Sequence, residues 1–555
     1  MDTLENKMTI FTPEDFQEEE GLIAKTAELF IKQDVATNMA AIEQHQYDIT
    51  RRLFQKAGDL GLLAIEIPEA YGGLELNKKI SGLVAERMGY GSSFSVSYNI
   101  HAGVGTLPYV YFGDASQKLK YLPKLASGEW IGAYALTEPD AGSDALHPKT
   151  NAILNEDGSA WVINGEKQWI TNAQLADLFV VFAKTSEGMT AFIVERTFSG
   201  VSIGQEEEKM GIKGSSTATL ILQDVVVPRE NVLGEVGKGH KVAMNILNMA
   251  RLKLAFSNIG TSKQALQLAV TYGRERKQFH QPIVHFTMIQ EKLADMATSI
   301  YGAESAAYRT AGEIDDAMEV TDKESMVQKI ADFALECALN KVNCSEVLGE
   351  IVDEAVQIHG GYGYMQDYEV ERLYRDARIS RIFEGTNEIN RLTMAKLLYK
   401  KYSQATSTEN APVAYQPAEK NQQYIRLSKY LMQIAIAVIA DAQIQLEQEQ
   451  EYMRLLADIV KDIYVMEASL LRTEKNACDN MKHLMTDILC QEGYRKIEKS
   501  TIDIICAAET NEQKRKTRLD HIQRLNIPLH QNLFMKKREI ARGIINNPKS
   551  ISSLS

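Results

Sequence analysis

The sequence predicts a mainly α-helical chain with one β domain at its centre, in the order helical, β, helical, linker, helical. Three observations predict it. Apolar residues recur at helical spacing from about residue 13, and again from Lys241 onward. Between Trp130 and Val227 the texture changes to short β-rich runs punctuated by glycine. No proline occurs between Pro282 and Pro412, or over residues 421–527, which permits long bundled helices. The expected domains are residues 1–130 (helical), 131–240 (a β barrel or sandwich), 241–402 (a helical bundle) and 421–555 (helical). Residues 403–420 form a polar, proline-containing linker.

The elements follow in order. Pro13 with Glu14 and Asp15 makes a helix start, with acidic residues favourable against the N-terminal dipole. Leu22, Ile23, Leu29, Phe30 and Val35 continue the helical spacing. The segment P-E-A-Y-G-G at 68–73 breaks it. A second helix covers about 76–88. A third starts near Ser92 and holds Tyr98, Ile100, Val104 and Leu107, which puts Gly103 and Gly105 inside a helix. The β runs are 161–163, 178–183, 190–194 and 219–227, with Asp157-Gly158 and Asn164-Gly165 as hairpin turns. In the last domain Leu427, Leu431, Ile434 and Val438 keep helical spacing.

Composition narrows the function. A chain of 555 residues, 45% hydrophobic and 24% charged, is globular and long enough for three or four domains. A net charge of −13 without a long basic run argues against nucleic acid. Five cysteines (337, 344, 478, 490 and 506) form no C-x-x-C pair, which fits a reducing compartment. The ten histidines are scattered, and no metal site is expected. The acidic N-terminus resembles neither a signal nor a transit peptide. The tidiest late apolar run, 434–440, is far short of the ~20 residues a membrane span needs. A cytoplasmic location is expected. Late basic residues (Lys514, Arg515, Lys516, Arg518, Lys536, Lys537, Arg538 and Arg542) read as a solvated helix face or as a weak contact with an anionic membrane surface.

The most informative stretch is 381–388, R-I-F-E-G-T-N-E. A carboxylate, Glu384, lies between Phe383 and Gly385, and Thr386 can cap the helix that follows. A carboxylate beside Phe383 is poorly solvated, so its pKa rises toward that of a useful base. A capped turn with a surface Glu is the plain alternative. Four further segments lie upstream: Y-A-L-T-E-P-D-A-G-S at 134–143, W-I-T at 169–171, N-M-A-R at 248–251 and R-K-Q-F at 276–279. A fifth, Q-I-H-G-G-Y-G at 357–363, is a glycine cluster at a helix end that can hold phosphate through backbone N–H groups. A polar loop, a buried Trp, a snorkelling Arg, a charged turn and an interhelical turn are their respective plain readings.

Together these segments resemble the acyl-CoA dehydrogenases over about residues 20–400, most closely the very-long-chain branch with its extra C-terminal helical domain. The resemblance implies FAD as cofactor and Glu384 as the base that removes the α proton of a fatty acyl-CoA. It implies flavin contacts for Tyr134, Leu136, Thr137, Gly142, Ser143, Trp169, Ile170, Thr171, Thr386 and Glu388. Arg276, Gln278, Phe279, Gln357, Gly360 and Gly361 are implied to reach the flavin of a second subunit, which makes a homodimer. Ser143, Asn248, Arg251, Phe383 and Gly385 are implied to meet the substrate. One subgroup places its base before the N-M-A-R arginine, where this chain has Ala250. His280 stands where the family pattern has glycine. Glycine at Gly103 and Gly105 is implied to leave the acyl channel open at depth, for chains of about sixteen carbons given ~0.8 kcal/mol per buried CH₂. The implied reaction is α,β-dehydrogenation in fatty acid β-oxidation, with an electron-transfer flavoprotein as acceptor. The alternatives are an acyl-CoA oxidase, a flavin monooxygenase or nitroalkane-type enzyme on the same scaffold, and a non-catalytic acyl-CoA-binding protein.

Overall fold

The computed structural model describes residues 10–319, 325–402, 420–525 and 532–548. The architecture is the expected one: helices, a central sheet, then helices to the end. The expected linker, 403–420, lies outside the described residues except for Lys420.

The N-terminal part holds α1 (Glu18–Phe30), α2 (Met39–Glu43), α3 (Tyr47–Asp59), α4 (Lys78–Met88), α5 (Ser93–Ala102), α6 (Leu107–Phe112) and α7 (Ala115–Ala126). Pro13 starts only a 3₁₀ turn, Pro13–Asp15, in which the Asp15 carboxylate accepts the Thr12 N–H at 2.7 Å. Asn77 caps α4 by accepting the Ile80 N–H. The predicted third helix is two helices. The chain breaks at Gly103–Thr106, so neither glycine sits in a helix interior. The break is forced by the strand beside it: a Cβ on Gly105 would lie 2.9 Å from the Gly132 backbone.

The sheet contains β1 (Gly132–Ala135), β2 (Asn151–Leu154), β3 (Ala160–Thr171), β4 (Leu178–Thr185), β5 (Gly188–Glu195), β6 (Val201–Glu206), β7 (Thr217–Pro228) and β8 (Val232–Leu233). Its order is β6-β7-β3-β2-β4-β5-β8, with β1 parallel to β4 off that path. Asp157-Gly158 does turn β2 into β3. Asn164-Gly165 does not form a hairpin. It lies inside β3 at a register shift, and Asn164 is tied across to Asp224.

The bundle holds α8 (Gly239–Glu275), a two-stranded hairpin of β9 (Lys277–Gln278) and β10 (Gln281–Pro282), α9 (Thr287–Glu319), α10 (Met326–Asp332), α11 (Ala334–His359), α12 (Glu369–Ala377) and α13 (Asn387–Tyr402). The last region holds α14 (Lys420–Asp441), α15 (Gln450–Lys475), α16 (Asn480–Ala508), α17 (Glu512–Arg524) and α18 (Leu533–Asn546). Its core residues, such as Leu431, Ile439, Leu456 and Ile463, pack against Met394 and Leu398 of α13. Each such fully buried side chain contributes about 1.5–3 kcal/mol.

Buried charge ties the last region to the rest. Arg472 of α15, with no exposed surface, donates to Glu304 of α9 and to Glu14, both at 2.8 Å. Glu304 in turn pairs with Lys263 of α8. Removing one member would strand an uncompensated buried charge. The expected basic face is smaller than its sequence suggests. Lys536 pairs with Asp487, and Lys537 turns inward to Asp295 and Glu492. Among the described residues no helix is long and apolar enough to cross a membrane.

Candidate active site

Glu384 sits in the turn between the 3₁₀ segment Arg378–Arg381 and α13. Glu384 and Gly385 are both left-handed, with φ of 56° and 81°. Such a conformation is unfavourable for a glutamate and persists only when its surroundings hold it. Here they do. Arg251 of α8 donates Nε to the Glu384 carbonyl at 3.1 Å. Lys341 of α11 donates Nζ to the Gly385 carbonyl at 2.8 Å, and Asn390 donates to the same oxygen at 2.7 Å. Thr386 Oγ1 accepts the Ile389 N–H, the expected cap.

Arg251 is buried rather than snorkelling, and its second contact is Asn248 Oδ1 at 3.0 Å. The N-M-A-R spacing thus places Asn248 and Arg251 on one helix face, i to i+3. Burial pushes the Glu384 carboxyl above the usual carboxylate range, while Arg251 and Lys341 hold it back. Burial likewise pulls Lys341 down to about 7, opposed by Glu384. Tyr134 feels the Glu384 charge, and its hydroxyl is buried without a hydrogen-bond partner among the described residues.

Glu384 and Phe383 line a cavity that continues between α5, α8 and the α12 region. Its walls are mostly apolar, with Val96, Ile100, Val104, Ala250, Leu254 and Ile379 among them. Of the Gly103–Gly105 segment, Val104 is on the wall, while Gly103 and Gly105 are set behind it. Their space is taken by backbone instead: Gly105 by Gly132, and Gly103 by the Asn99 carbonyl at 2.5 Å from a would-be Cβ. Ala250 lines the cavity without a carboxylate; the two acids on the wall are Glu384, beside Arg251, and Asp376, which accepts from Ser92 and the Ile212 N–H.

A second group meets at the surface. Arg276 and Gln278 join Gly360, Gly361 and Tyr362 around a pocket of about 520 Å³. Two segments eighty residues apart in sequence are thereby brought together. Arg276 lies 5.6 Å from the Tyr362 ring centre. The glycines follow the C-terminal end of α11, where the helix dipole opposes an anion, so Arg276 supplies the local positive charge. Phe279 and His280 form the two-residue turn of the β9–β10 hairpin with φ of 49° and 67°. His280 therefore adopts the backbone that glycine favours at such a turn. Phe279 at its tip is 83% exposed. Gln357 and Glu388 are exposed and outside this pocket.

The third group is on the sheet. The Gln168 N–H donates to the Thr137 carbonyl at 2.9 Å, which joins the L-T-E-P loop to the segment before Trp169. Trp169 has φ of 57° at a register shift between Lys167 and Ile170. Trp169 is 57% exposed, Ile170 is buried and Thr171 is half-buried. The plain reading of a buried Trp fails. Gly142 and Ser143 are exposed, and Leu136 is buried.

Three residues that organise these groups were not among the expected site residues. Lys341 is one. Glu138 and Lys167 are the others, a buried pair at 2.7 Å in which Glu138 also accepts the Lys149 and Thr150 N–H groups. A charged residue inside the apolar face of α11 (Cys337, Val342, Cys344, Leu348) was the available signal for Lys341.

A helical–sheet–helical chain, with a carboxylate facing an apolar cavity from a turn whose carbonyls are held by Arg251 and Lys341, has the architecture of an acyl-CoA dehydrogenase. Family models match throughout: the acyl-CoA dehydrogenase N-terminal domain over 17–129, the middle domain over 133–225 and the C-terminal domain over 237–399. A further acyl-CoA dehydrogenase C-terminal domain matches 426–524. The chain belongs to the acyl-CoA dehydrogenase family. It is 47% identical to a probable acyl-CoA dehydrogenase of Bacillus subtilis, over 97% of this chain and 96% of that protein. It is 39% identical to the mouse very long-chain specific acyl-CoA dehydrogenase, over 70% of this chain and 58% of that one. The crystal structure of an acyl-CoA dehydrogenase complexed with FAD from Bacillus anthracis superposes with a TM-score of 0.93 at 44% identity, covering 97% of both chains. Butyryl-CoA dehydrogenase from Megasphaera elsdenii gives 0.63 at 34% identity, over 69% of this chain and 98% of that one.

Proposed function

We propose that the protein removes the α and β hydrogens of long-chain fatty acyl-CoA, as a step of β-oxidation, with Glu384 as base. The observation that carries this is a half-buried carboxylate at an apolar cavity, on a turn whose carbonyls are held by Arg251 and Lys341. A weakly solvated carboxylate of raised pKa suits abstraction of a proton beside a thioester. The apolar walls take the acyl tail, and Phe383 shields the reacting end from water.

The residues present fit FAD. Open backbone at Gly360 and Gly361 beside Arg276 suits its pyrophosphate, and exposed Trp169 next to the Thr137 loop suits its ring system. FAD, when bound, supplies the acceptor for the hydride leaving the β carbon. An electron-transfer flavoprotein is the proposed onward acceptor, and a second copy of this chain is the proposed cover for the rim at Phe279.

Glu384→Gln tests the base. It keeps the shape of the turn, so FAD and acyl-CoA binding are expected to survive while turnover falls about 10²–10⁴-fold. Turnover within tenfold of the parent enzyme would overturn the assignment. Rapid peroxide formation by the parent under air would assign the electrons to oxygen instead.

A further inference from the structure

The turn that carries Glu384 is clasped from two helices. Arg251 of α8 takes the Glu384 carbonyl, and Lys341 of α11 takes the next one, at Gly385. Lys341 Nζ also donates to Asn387 Oδ1 at 2.7 Å. A single buried ammonium therefore holds both sides of the turn: the carbonyl after the base, and the first residue of α13. No carboxylate lies within ion-pair distance of it among the described residues. Glu346, an acid on the same helix, is committed to Arg391 at 2.7 Å and to Asn387.

We propose that Lys341 is a positioning residue for the base: it fixes Glu384 in its left-handed turn, and its charge keeps the carboxylate ionised until the proton is taken. The proposal rests on Glu384 being the base. The charged groups facing Lys341 are Glu384 and Glu388 on the turn and α13, Arg251 on α8 and Glu346 on α11. Cys337, one turn away on α11, is pushed up to about 12 by burial and stays neutral. Of these, Glu384 is the group whose charge most favours the Lys341 ammonium. The relation is reciprocal, because Arg251 and Lys341 are the two cations that oppose the effect of burial on Glu384.

The sign follows. Removing the Lys341 charge leaves burial less opposed, so the Glu384 pKa rises and the base is protonated up to a higher pH. Lys341→Met and Lys341→Gln are expected to move the acid limb of the kcat/KM–pH profile upward by about one unit, the lower end of what a nearby opposite charge produces. Turnover should fall up to tenfold on the acid side of the profile and converge with the parent at higher pH. Lys341→Gln retains a donor for the Gly385 carbonyl, which separates the hydrogen bond from the charge. Lys341→Arg keeps the charge and is expected to leave the limb near its original place. FAD content and thermal midpoint, measured on every variant, report folding. An unmoved limb in Lys341→Gln, or a limb in Lys341→Arg displaced as far as in Lys341→Gln, overturns the proposal. Glu384→Gln separates the two readings. If it stays active, the base assignment fails. If it is inactive and the Lys341 limb does not move, only the role of Lys341 fails.

Discussion

Gly103 to Gly105 and Gly360 to Gly361 look alike in the sequence: close pairs of glycines near a helix. Their surroundings are opposite. A Cβ on Gly105 would strike the Gly132 backbone at 2.9 Å, whereas nothing lies within 4 Å of one on Gly360 or Gly361. In the first pair Gly105 makes room for this chain's own strand β1, and Gly103 for the Asn99 carbonyl. The second leaves backbone open beside Arg276 among the described residues. A third glycine, Gly385, falls between these extremes, with its neighbours at 3.3 and 3.5 Å and φ of 81°. A glycine thus signals close approach to something. Only the fold says whether that something is the protein itself or a ligand.

The largest effect on stability is expected at the first pair. Gly105→Ala must displace either α5–α6 or β1, at a cost of about 3 kcal/mol, the upper end of overpacking. Differential scanning calorimetry of the variant should show a clearly lowered midpoint. The protein that remains folded should keep the parent's preference among acyl chain lengths, since Gly105 is not on the cavity wall. A shift toward short chains at unchanged stability would restore Gly105 to the channel and break the comparison.

A middle effect is expected at Gly385. Alanine there must adopt φ near 81°, which costs an L-residue about 1–2 kcal/mol. Its Cβ would also press on Asn390 Nδ2 and Arg251 Nη2, two members of the clasp. Gly385→Ala should therefore lose stability modestly and lose turnover by about tenfold or more, with KM little changed. Equal losses in kcat and in acyl-CoA affinity would mean that the turn binds substrate rather than placing the base.

These three sites also mark how far the sequence could be read. The layer order was legible because helical spacing, glycine-punctuated β runs and proline-free spans are local properties. So was the Glu384 turn, since Phe383, Gly385 and Thr386 carry its chemistry within four residues. Asn164-Gly165 misled because turn chemistry does not say whether β7 continues alongside, and β7 does. The α5–α6 break was missed because its cause, Gly132, is a packing neighbour 27 positions away. Lys341 was invisible for the same reason. It acts on Gly385 across an interhelical contact, and helical periodicity records only that a lysine interrupts an apolar face.

The smallest effect on stability is expected at Gly361. It has open space around its Cβ and no left-handed φ, unlike its neighbour Gly360 at 60°. Gly361→Ala should change the stability of the FAD-free chain by less than about 0.5 kcal/mol, the range of an unremarkable surface substitution. If the open backbone beside Arg276 accepts the FAD pyrophosphate, the same methyl stands where the ligand must approach. FAD affinity should then fall about tenfold, or ~1.4 kcal/mol. Titrating the apoprotein with FAD by flavin fluorescence reads the affinity, and sedimentation of the same samples reads the assembly. A dimer that keeps its association constant while FAD binds more weakly would place the methyl against the flavin rather than against the second copy. Unchanged FAD affinity in a folded variant would show that the open glycines are an ordinary surface turn, and the contrast with Gly105 would then be one of packing alone.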